Sequence, residues 1–520
     1  MSEFVLAIEW EGFEKDKYVH TVLEDNILPL YIAQCRWFAG KARQIKQLKV
    51  RDAVHFDDFI FMTFEAKYEE GDSELYLLPL SFVENGTQEI PVKGILSKAS
   101  MDDKIGHLVD AIYDVNFRNA LFSSVYHKKS YNQINDDKLV FLNGKAFTAE
   151  SDIIDSFLPN VDSSNSAMIF GQPQLGGQYF LKLYRKLFTE TNPEVEMVEF
   201  MTQHSDFRNI PRFAGSITWK RADTSEITFA VIVEVIRSEK DDWSMTGDYL
   251  NDFLLAFVDG NFQIKESVFG KVALLAHRTA EMHKALFALR GADAFNAEPF
   301  DRQYRRFLHQ KMENLLERRY NLLTDNYLRL DEQAQTLAWK FMEAKDLILD
   351  FVDQVLTRPL FSYRTRIHGD YHLGQVLATE NDLVIIDFEG EPESTISERK
   401  IKHSPLKDVA GMIRSYHYAV SAKLYNSAET SEIDELQLQR AADRWYKLIK
   451  DTYIEEYLSV FGNPHPLFKD NNEINYLLLF HLLEKAVYEI GYEVNYRPTW
   501  VKIPLKGIAE VLAEVEKLRR

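Results

Sequence analysis

The sequence predicts an α+β protein of two lobes, with strands in its first half and mostly helices in its second. Its 520 residues are too many for a single hydrophobic core, so two or three domains or lobes are expected. Hydrophobic residues make up 46% of the chain and charged residues 27%, which is typical of globular rather than disordered proteins. A strand-rich half followed by a helical half therefore indicates a bilobal α+β architecture.

The first half contains most of the predicted strands. Residues 20–35 have a helical pattern, and the turn sequence EEGDS joins two strands into a predicted hairpin. A helical pattern returns over 100–130, and another helix begins near Pro193, which suits a first helical turn. The predicted strands are 59–68, 74–83, 89–97, 167–171, 178–184 and 228–236.

The second half has one β interruption within a helical pattern. Apolar residues over 272–289 recur at spacings of three and four, which predicts a helix with one buried face. Two strands at 366–377 and 382–387 are predicted to form a hairpin inside this helical half.

Charge and cysteine content limit the cellular setting and the partners. The formal net charge of −19 makes nucleic acid an unexpected partner, because the phosphate backbone is also negative. Cys35 is the single cysteine and cannot form an intramolecular disulfide, which fits a reducing cytosol. The first residues do not resemble a signal peptide, and the apolar run at 476–483 is too short to span a bilayer. We expect a cytoplasmic protein that does not insert into membranes.

The strongest chemical motif is HGDYHLGQVLATENDLVIIDFEG, residues 368–390. Two carboxylates, Asp370 and Asp387, flank the predicted hairpin, and Gln375 adds an amide oxygen. Phosphoryl transfer needs a carboxylate that orients the attacking hydroxyl, and further oxygen ligands that hold Mg²⁺ against the phosphates. A solvated loop with acids placed by chance is the alternative, but the combined spacing argues against it.

This motif resembles the catalytic and metal loops of the aminoglycoside phosphotransferase superfamily, which is related to the protein kinases. The resemblance implies that Asp370 is the catalytic base, Asp387 the metal aspartate and Gln375 the metal-binding amide. The superfamily usually has Asn where this chain has Gln375, whereas the maltokinase branch has Gln.

Further segments resemble maltokinases along nearly the whole chain. RWFAGK is similar to their N-terminal cap, SNSAMIFG, FLKLYRK and NPEVE to their nucleotide lobe, and SPLKDVAGMIRSYHYA and EKAVYEIGYEVNYRPTW to their C-terminal lobe. The resemblance implies a protein-kinase-like (aminoglycoside phosphotransferase-like) fold. It divides the chain into an N-terminal cap subdomain at 1–97, a nucleotide-binding lobe at 98–240 and a mostly helical C-terminal lobe at 241–520.

The resemblance also implies an activity and its cofactors. Maltokinases convert maltose and ATP to maltose 1-phosphate and ADP, feeding α-glucan synthesis, so ATP and Mg²⁺ are the expected cofactors. A functional link to trehalose synthase, which makes maltose, is implied as well. Three alternatives remain open: glucosamine as acceptor, an aminoglycoside as acceptor, and a non-catalytic nucleotide-binding regulator.

Lys182 is the predicted phosphate-binding lysine of the nucleotide lobe. It lies in an apolar strand, where contact with ATP phosphates and with an acid of the next helix would explain its presence. Glu196 is the preferred partner by the family pattern, and Glu194 is the second choice. The alternative is a strand lysine that faces solvent.

Other nucleotide contacts are predicted at a small polar loop and at a strand end. No G-x-x-x-x-G-K-[ST] and no G-x-G-x-x-G is present in this lobe, so Ser164, Asn165 and Ser166 are predicted to bind phosphates instead. Glu234 and Ile236 end a strand that corresponds to the adenine-binding hinge of kinase-like folds. An ordinary turn and a plain buried strand are the respective alternatives.

The acceptor is predicted to bind late in the C-terminal lobe. Glu484, Tyr488 and Tyr492 recur every four residues and so share one helix face, and Arg497 follows at the helix exit. Hydroxyl partners and flat aromatic surfaces in one segment suit a disaccharide, although core packing is the alternative. His372 is a further candidate for substrate contact.

Three more polar residues are predicted to have structural roles. His368 is predicted to orient the loop backbone, and His283 to be a satisfied packing histidine. Asp408 either braces the catalytic loop or simply caps a helix.

Overall fold

The computed structural model describes residues 5–160, 164–258, 262–288, 292–426, 435–462 and 465–519. The chain divides into two compact units. The first comprises Met1–Gln203 and Pro211–Arg237, and the second comprises His204–Ile210 and Ser238–Arg520. The predicted boundary at residue 240 lies close to this division.

The first unit is built from two mostly antiparallel sheets. One has the strand order β1-β5-β6-β4-β3-β2, with β12 also paired with β4, and the other has the order β7-β8-β13-β14-β11-β10-β9. The strands are β1 (Leu6–Ala7), β2 (Ile45–Phe56), β3 (Phe59–Tyr68), β4 (Glu74–Glu84), β5 (Ile95–Met101), β6 (Lys104–Asp110), β7 (Ser130–Asn132), β8 (Lys138–Asn143), β9 (Ser156–Phe157), β10 (Ser166–Phe170), β11 (Tyr179–Leu183), β12 (Lys186–Leu187), β13 (Phe213–Lys220) and β14 (Glu226–Glu234).

The helices of the first unit are α1 (Lys17–Val22), α2 (Leu28–Gln34), α3 (Val115–Tyr126) and α4 (Pro193–His204), with a π-helical turn at Leu23–Ile27. The predicted helix at 20–35 and the predicted strands β3, β4, β10, β11 and β14 are therefore confirmed. One core packs α1 and α2 against β3, and a second includes apolar residues of both sheets, such as Phe61 and Phe229.

The segment 100–130 differs from its predicted helical state. β5 and β6 pair as a hairpin through Asp102 and Asp103, both of which have positive φ angles, and α3 begins only at Val115. β6 is exposed at its first two residues and buried at its last three, and backbone pairing with β4 and β5 on its two sides holds it as a strand. The proposed cap boundary after residue 97 falls inside β5, so the first sheet extends past it.

The second unit is mostly helical and contains two small sheets. Its strands are β15 (Lys240–Asp241), β16 (Glu298–Pro299), β17 (Tyr363–Arg364), β18 (Val376–Ala378) and β19 (Leu383–Ile385). Its helices are α5 (Asp242–Val258), α6 (Glu266–Ala288), α7 (Arg302–Asn326), α8 (Glu332–Glu343), α9 (Lys345–Thr357), α10 (Ile396–Arg399), α11 (Leu406–Asn426), α12 (Glu435–Ser459), α13 (Asn471–Tyr496) and α14 (Lys502–Arg519). Residue 289, the last of the predicted α6 pattern, lies outside the described residues.

Helix α13 organises the second unit, packing against α7, α11 and α14. Its N-terminus is capped by Asp470, whose carboxylate accepts the N–H of Glu473 at 3.0 Å. It ends before Pro498, which cannot continue a helix. Within the described ranges, we find no helix with an apolar stretch sufficient to cross a bilayer.

The predicted hairpin around the HGD motif is shorter than the sequence suggested. β18 and β19 do pair antiparallel, but residues 366–372 are a loop and Leu373–Gln375 form a 3-10 turn rather than a strand. Gly369 has a φ of 87°, which breaks an extended strand, and its N–H bonds a side chain instead of a neighbouring strand.

Candidate active site

The loop at residues 368–370 is held in place by Asp408 in the first turn of α11. The Asp408 carboxylate accepts the N–H of His368 at 2.7 Å and that of Gly369 at 3.0 Å. His283 lies 3.1 Å from the same carboxylate and 2.9 Å from the Tyr457 hydroxyl. Burial alone would raise the pKa of Asp408, but His283, His368 and the N–H of Gly369 together outweigh it and the pKa is lowered. The bracing role of Asp408 and the satisfied state of His283 are confirmed.

His368 is also structural, as predicted. Its Nε2 lies 2.8 Å from the carbonyl oxygen of Ile386, and its ring packs against Tyr371 and Phe388. These contacts join the loop to the end of β19. The side chain of the next acid, Asp370, is thereby presented from a backbone tied at several points.

Asp370 is a half-buried carboxylate with a cation beside it. Its Oδ1 lies 3.6 Å from the Nζ of Lys485 on α13. Burial opposes the charge of Lys485, but the carboxylates of Asp370 and Glu391 outweigh it and raise the Lys485 pKa above its ordinary range. Sequence reasoning missed Lys485, although it stands three residues before Tyr488 and so shares that helix face. The arrangement pairs a proton acceptor with a fixed positive charge.

His372 lies near Asp370 but is engaged locally. Its Nε2 is 4.0 Å from Asp370 Oδ2, and its Nδ1 accepts the N–H of Gly374 at 3.1 Å. Burial lowers the pKa of His372, which favours the neutral ring. Substrate contact by His372 stays a prediction.

Gln375, Asp387 and Glu389 form a set of oxygen donors at the end of β19. Gln375 donates from Nε2 to Asp387 Oδ2 at 2.9 Å. Exchanging the positions of the nitrogen and oxygen of this side-chain amide, by rotating it, would present the oxygen instead. Carboxylate oxygens of Asp387 and Glu389 lie within 4.8 Å of each other. Asp387 has a φ of 66°, an unfavourable backbone angle that is often found at functional sites. Carboxylate and amide oxygens of this kind fit a hard cation such as Mg²⁺.

A cavity of about 580 Å³ opens beside the loop at 368–370 in the second unit. It is lined by Gly369 of that loop, by the adjacent Tyr371 and by Lys485. Its other walls come from α7, α10, α11, α13 and the loop at 390–394, through residues that include Lys311, Arg318, Arg319, Glu391, Glu393, Glu398, Arg399, Lys407, Glu484 and Tyr488.

The cavity contains two of the four predicted sugar contacts on and after α13. Glu484 and Tyr488 line it, whereas Tyr492 and Arg497 are not among the described residues of its wall. Tyr492 is 47% exposed, and Arg497 is bonded to Glu493 at 2.8 and 3.0 Å. Distance along the helix explains why Tyr492 lies outside the wall, because Tyr492 stands about 12 Å along the helix axis from Glu484.

Glu484 is buried and carries a full set of partners. Lys407 lies 3.0 Å and Lys311 3.3 Å from its Oε1, and His481 lies 2.9 Å from its Oε2. Burial alone would raise the pKa of Glu484, but the two lysines outweigh it and hold the pKa well below its usual range. Glu484 is therefore a charged group committed to the protein.

In the first unit, Lys182 pairs with Glu194. Its Nζ lies 3.0 Å from Glu194 Oε2, which also accepts the hydroxyl of Tyr184 at 2.8 Å. The preferred sequence choice was Glu196, so this prediction is corrected to the second choice. Asn192 Oδ1 accepts the N–H of Glu194 at 2.8 Å and fixes the first turn of α4. Glu196 stands two residues on, rotated by about 200° around the helix.

Two residues of the predicted phosphate loop form hydrogen bonds with Arg185. Ser166 Oγ accepts from Arg185 Nε at 2.7 Å, and Asn165 Oδ1 accepts the Arg185 N–H at 3.2 Å. Arg185 is fully buried and pairs with Asp110 at 2.6 Å. The side chains of Asn165 and Ser166 therefore position Arg185, which leaves Ser164 as the exposed polar side chain of the three predicted residues.

The predicted hinge residues lie at the end of β14. The N–H of Glu234 bonds the carbonyl of Arg212 at 3.0 Å, and the N–H of Val235 bonds that of Gln178 at 2.9 Å. Ile236 follows and is half-buried. Adenine contact by Glu234 and Ile236 stays a prediction.

Lys182→Met should raise the KM for ATP and lower turnover, while the KM for the acceptor changes little. Methionine keeps the apolar stem and removes the ammonium that would bind phosphates. Steady-state kinetics over ATP and acceptor separately measure this, with Lys220→Met as the control, because Lys220 is an exposed strand lysine of the same unit. Unchanged ATP kinetics would contradict the assignment.

Comparison with known proteins places these features in a family context. Residues 31–114 match the maltokinase N-terminal cap domain, and residues 264–390 match the phosphotransferase enzyme family. A glucosamine kinase of Streptacidiphilus jiangxiensis is 24% identical over 150 residues, which cover 28% of this chain and 32% of that protein. A glucosamine kinase of Mycolicibacterium smegmatis is 23% identical over 363 residues, covering 68% of this chain and 79% of that protein.

Solved structures share the fold of this chain. A glucosamine kinase in complex with glucosamine, ADP and inorganic phosphate superposes with a TM-score of 0.62 at 16% identity, over 93% of this chain and 98% of that one. Another crystal form of glucosamine kinase gives a TM-score of 0.64 at 15% identity, over 93% and 99%. The kinase-like fold predicted from the sequence is confirmed. The chain thus carries a maltokinase N-terminal cap domain and a phosphotransferase-family domain, which confirms the resemblance drawn from its motifs.

Proposed function

We propose that this protein is an ATP-dependent sugar kinase that transfers a phosphoryl group to the anomeric hydroxyl of maltose, giving maltose 1-phosphate and ADP. The observation that carries this proposal is the cavity beside Asp370, whose polar walls can bind hydroxyl groups and whose acids are already paired. Its volume of about 580 Å³ is within the range of small-ligand sites.

Each candidate residue has a chemical role in this reaction. Asp370 would accept the proton of the attacking hydroxyl, and the ammonium of Lys485, 3.6 Å away, would keep that carboxylate oriented and stabilise nearby negative charge. Gln375 and Asp387 would hold Mg²⁺, which when bound neutralises phosphate charge. Lys182 would bind phosphate oxygens of ATP.

The charges of the cavity support a neutral acceptor. Among its lining residues, six cationic side chains accompany five carboxylates. Each of the carboxylates is hydrogen-bonded within the protein, as Glu484 is to the two lysines and Glu391 is to Tyr488 at 3.1 Å. An ammonium group would enter a site whose acids are committed and whose cations repel it. This disfavours polycationic aminoglycosides most strongly.

Glucosamine is the second candidate, because the two relatives described above are named glucosamine kinases. A non-catalytic regulator is disfavoured by the intact set of Asp370, Gln375, Asp387 and Lys182.

An acceptor screen tests the proposal. ADP release is measured with ATP and Mg²⁺ over maltose, glucose, glucosamine, trehalose and an aminoglycoside, and we expect the highest kcat/KM for maltose. Tyr488→Phe should lower kcat/KM for maltose by an amount that corresponds to roughly 1–3 kcal/mol, because loss of the hydroxyl leaves its polar partners unpaired. Arg497→Ala is the informative comparison. If Arg497 contacts the sugar directly, this variant should lose as much kcat/KM for maltose as Tyr488→Phe. If its position outside the cavity wall is decisive, the variant should lose none. A higher kcat/KM for glucosamine would replace maltose as the acceptor.

A further inference from the structure

Arg319 on α7 is a cavity residue whose guanidinium is only partly engaged. It lines the cavity, and its Nη2 donates to the carbonyl of Tyr488 over a long 3.4 Å. Its Nε is buried and forms no hydrogen bond with any residue in the described part of the chain. A buried guanidinium nitrogen without a partner is costly, so this side chain is suited to a ligand that supplies an acceptor oxygen.

Gly491 determines where this guanidinium lies. A Cβ atom at position 491 would overlap the guanidinium carbon of Arg319, so the planar group rests directly on the backbone of α13. A glycine in the interior of a helix lowers helix stability, and close approach of another group is a common reason to have one. Here the glycine admits a flat cation at one defined point of the cavity wall.

The position of Gly491 along α13 gives its spacing, along the helix axis, from the lysine that contacts Asp370. Lys485, whose Nζ is 3.6 Å from Asp370, stands six residues before Gly491 on the same helix. Six residues correspond to about 9 Å of helix axis. That separation is longer than one hexose ring and comparable to a disaccharide, so a sugar reacting at Asp370 would bring its second ring toward Arg319.

We propose that Arg319 binds the second sugar ring of the acceptor and thereby selects a disaccharide over a single hexose. A guanidinium presents a rigid planar fork of N–H donors, which matches two adjacent ring hydroxyls. Such a donor needs no negative charge on the sugar, in keeping with a neutral acceptor. This inference rests on the proposed maltose kinase activity. It adds the residue that distinguishes a disaccharide acceptor from a single hexose.

Two variants remove the contact from opposite sides. Arg319→Ala deletes the guanidinium, whereas Gly491→Ala keeps it and displaces it with a methyl group. Alanine is favourable in a helix interior, so Gly491→Ala leaves α13 intact. Arg306→Ala is the matched control, because Arg306 is an exposed arginine of the same helix outside the cavity wall.

The quantity to measure is the ratio of kcat/KM for maltose to kcat/KM for glucose at saturating ATP. We expect both variants to lower this ratio about 10- to 100-fold, the usual effect of losing a hydrogen bond to a charged group. The KM for ATP and the melting temperature should stay near the wild-type values, and the double variant should lose no more than Arg319→Ala alone. Where glucose transfer is too slow, the Kd for maltose with ADP bound, measured by calorimetry, replaces the ratio.

The outcomes separate this inference from the proposed function. A wild-type protein that does not phosphorylate maltose overturns the proposed activity. A wild-type protein that does, with a ratio or Kd unchanged in both variants, overturns the role of Arg319 alone. A lowered melting temperature in both variants with unchanged selectivity would assign Arg319 to packing.

Discussion

Asp370→Asn should lower turnover by at least about 100-fold while the protein stays folded. The substitution keeps the size and shape of the side chain but removes the proton acceptor. The backbone at this position is held by Asp408 and by the His368 contact with Ile386, and neither depends on the Asp370 carboxylate. Turnover is measured as ADP release at saturating ATP and acceptor, and folding by thermal melting.

The control for this substitution is Glu380→Gln. It also changes a carboxylate into an amide, within the same motif, but Glu380 is exposed in the turn between β18 and β19. Glu380→Gln should keep wild-type turnover. Wild-type turnover in a folded Asp370→Asn variant would remove Asp370 from the catalytic role and leave it as a partner of Lys485.

Asp387→Ala should reduce Mg²⁺-dependent turnover at least about 100-fold, because charge neutralisation by the metal is worth several kcal/mol in phosphoryl transfer. The binding measurement is separate from turnover. The Kd for ATP is titrated with and without Mg²⁺, and we expect the variant to weaken binding of the metal complex more than binding of free ATP. Equal weakening of both would indicate structural damage rather than loss of a metal ligand.

Asp387→Asn refines this test because of the backbone at position 387. Its φ of 66° strains an alanine, whereas asparagine tolerates the left-handed region. Asparagine also keeps an acceptor for the Gln375 amide, which now bonds Asp387 at 2.9 Å. The Asn variant should therefore melt close to the wild-type temperature and still lose the preference for metal-bound ATP.

Local sequence patterns predicted much of the fold. Strands β3, β4, β10, β11 and β14 and helices α4 and α6 each have a regular apolar period or a clear start signal within a few residues. The strand predicted at 89–97 is found later, as β5 at Ile95–Met101. β6 was misread as helical because a short hairpin with aspartates in its turn carries a weak pattern. The strand predicted at 366–377 forms only at its end, as β18, because the N–H groups of His368 and Gly369 bond a side chain about forty residues away in the sequence.

The sequence by itself determined which acids and amides could carry chemistry, since Asp370, Gln375 and Asp387 lie in one short motif. Only the tertiary structure decided their neighbours. Lys485 reaches Asp370 from a helix that lies far along the chain. Glu194 rather than Glu196 pairs with Lys182, because the rotation of a helix is set by its cap and its packing. Composition and spacing report local chemistry, whereas a contact between distant segments depends on how the helices and sheets pack.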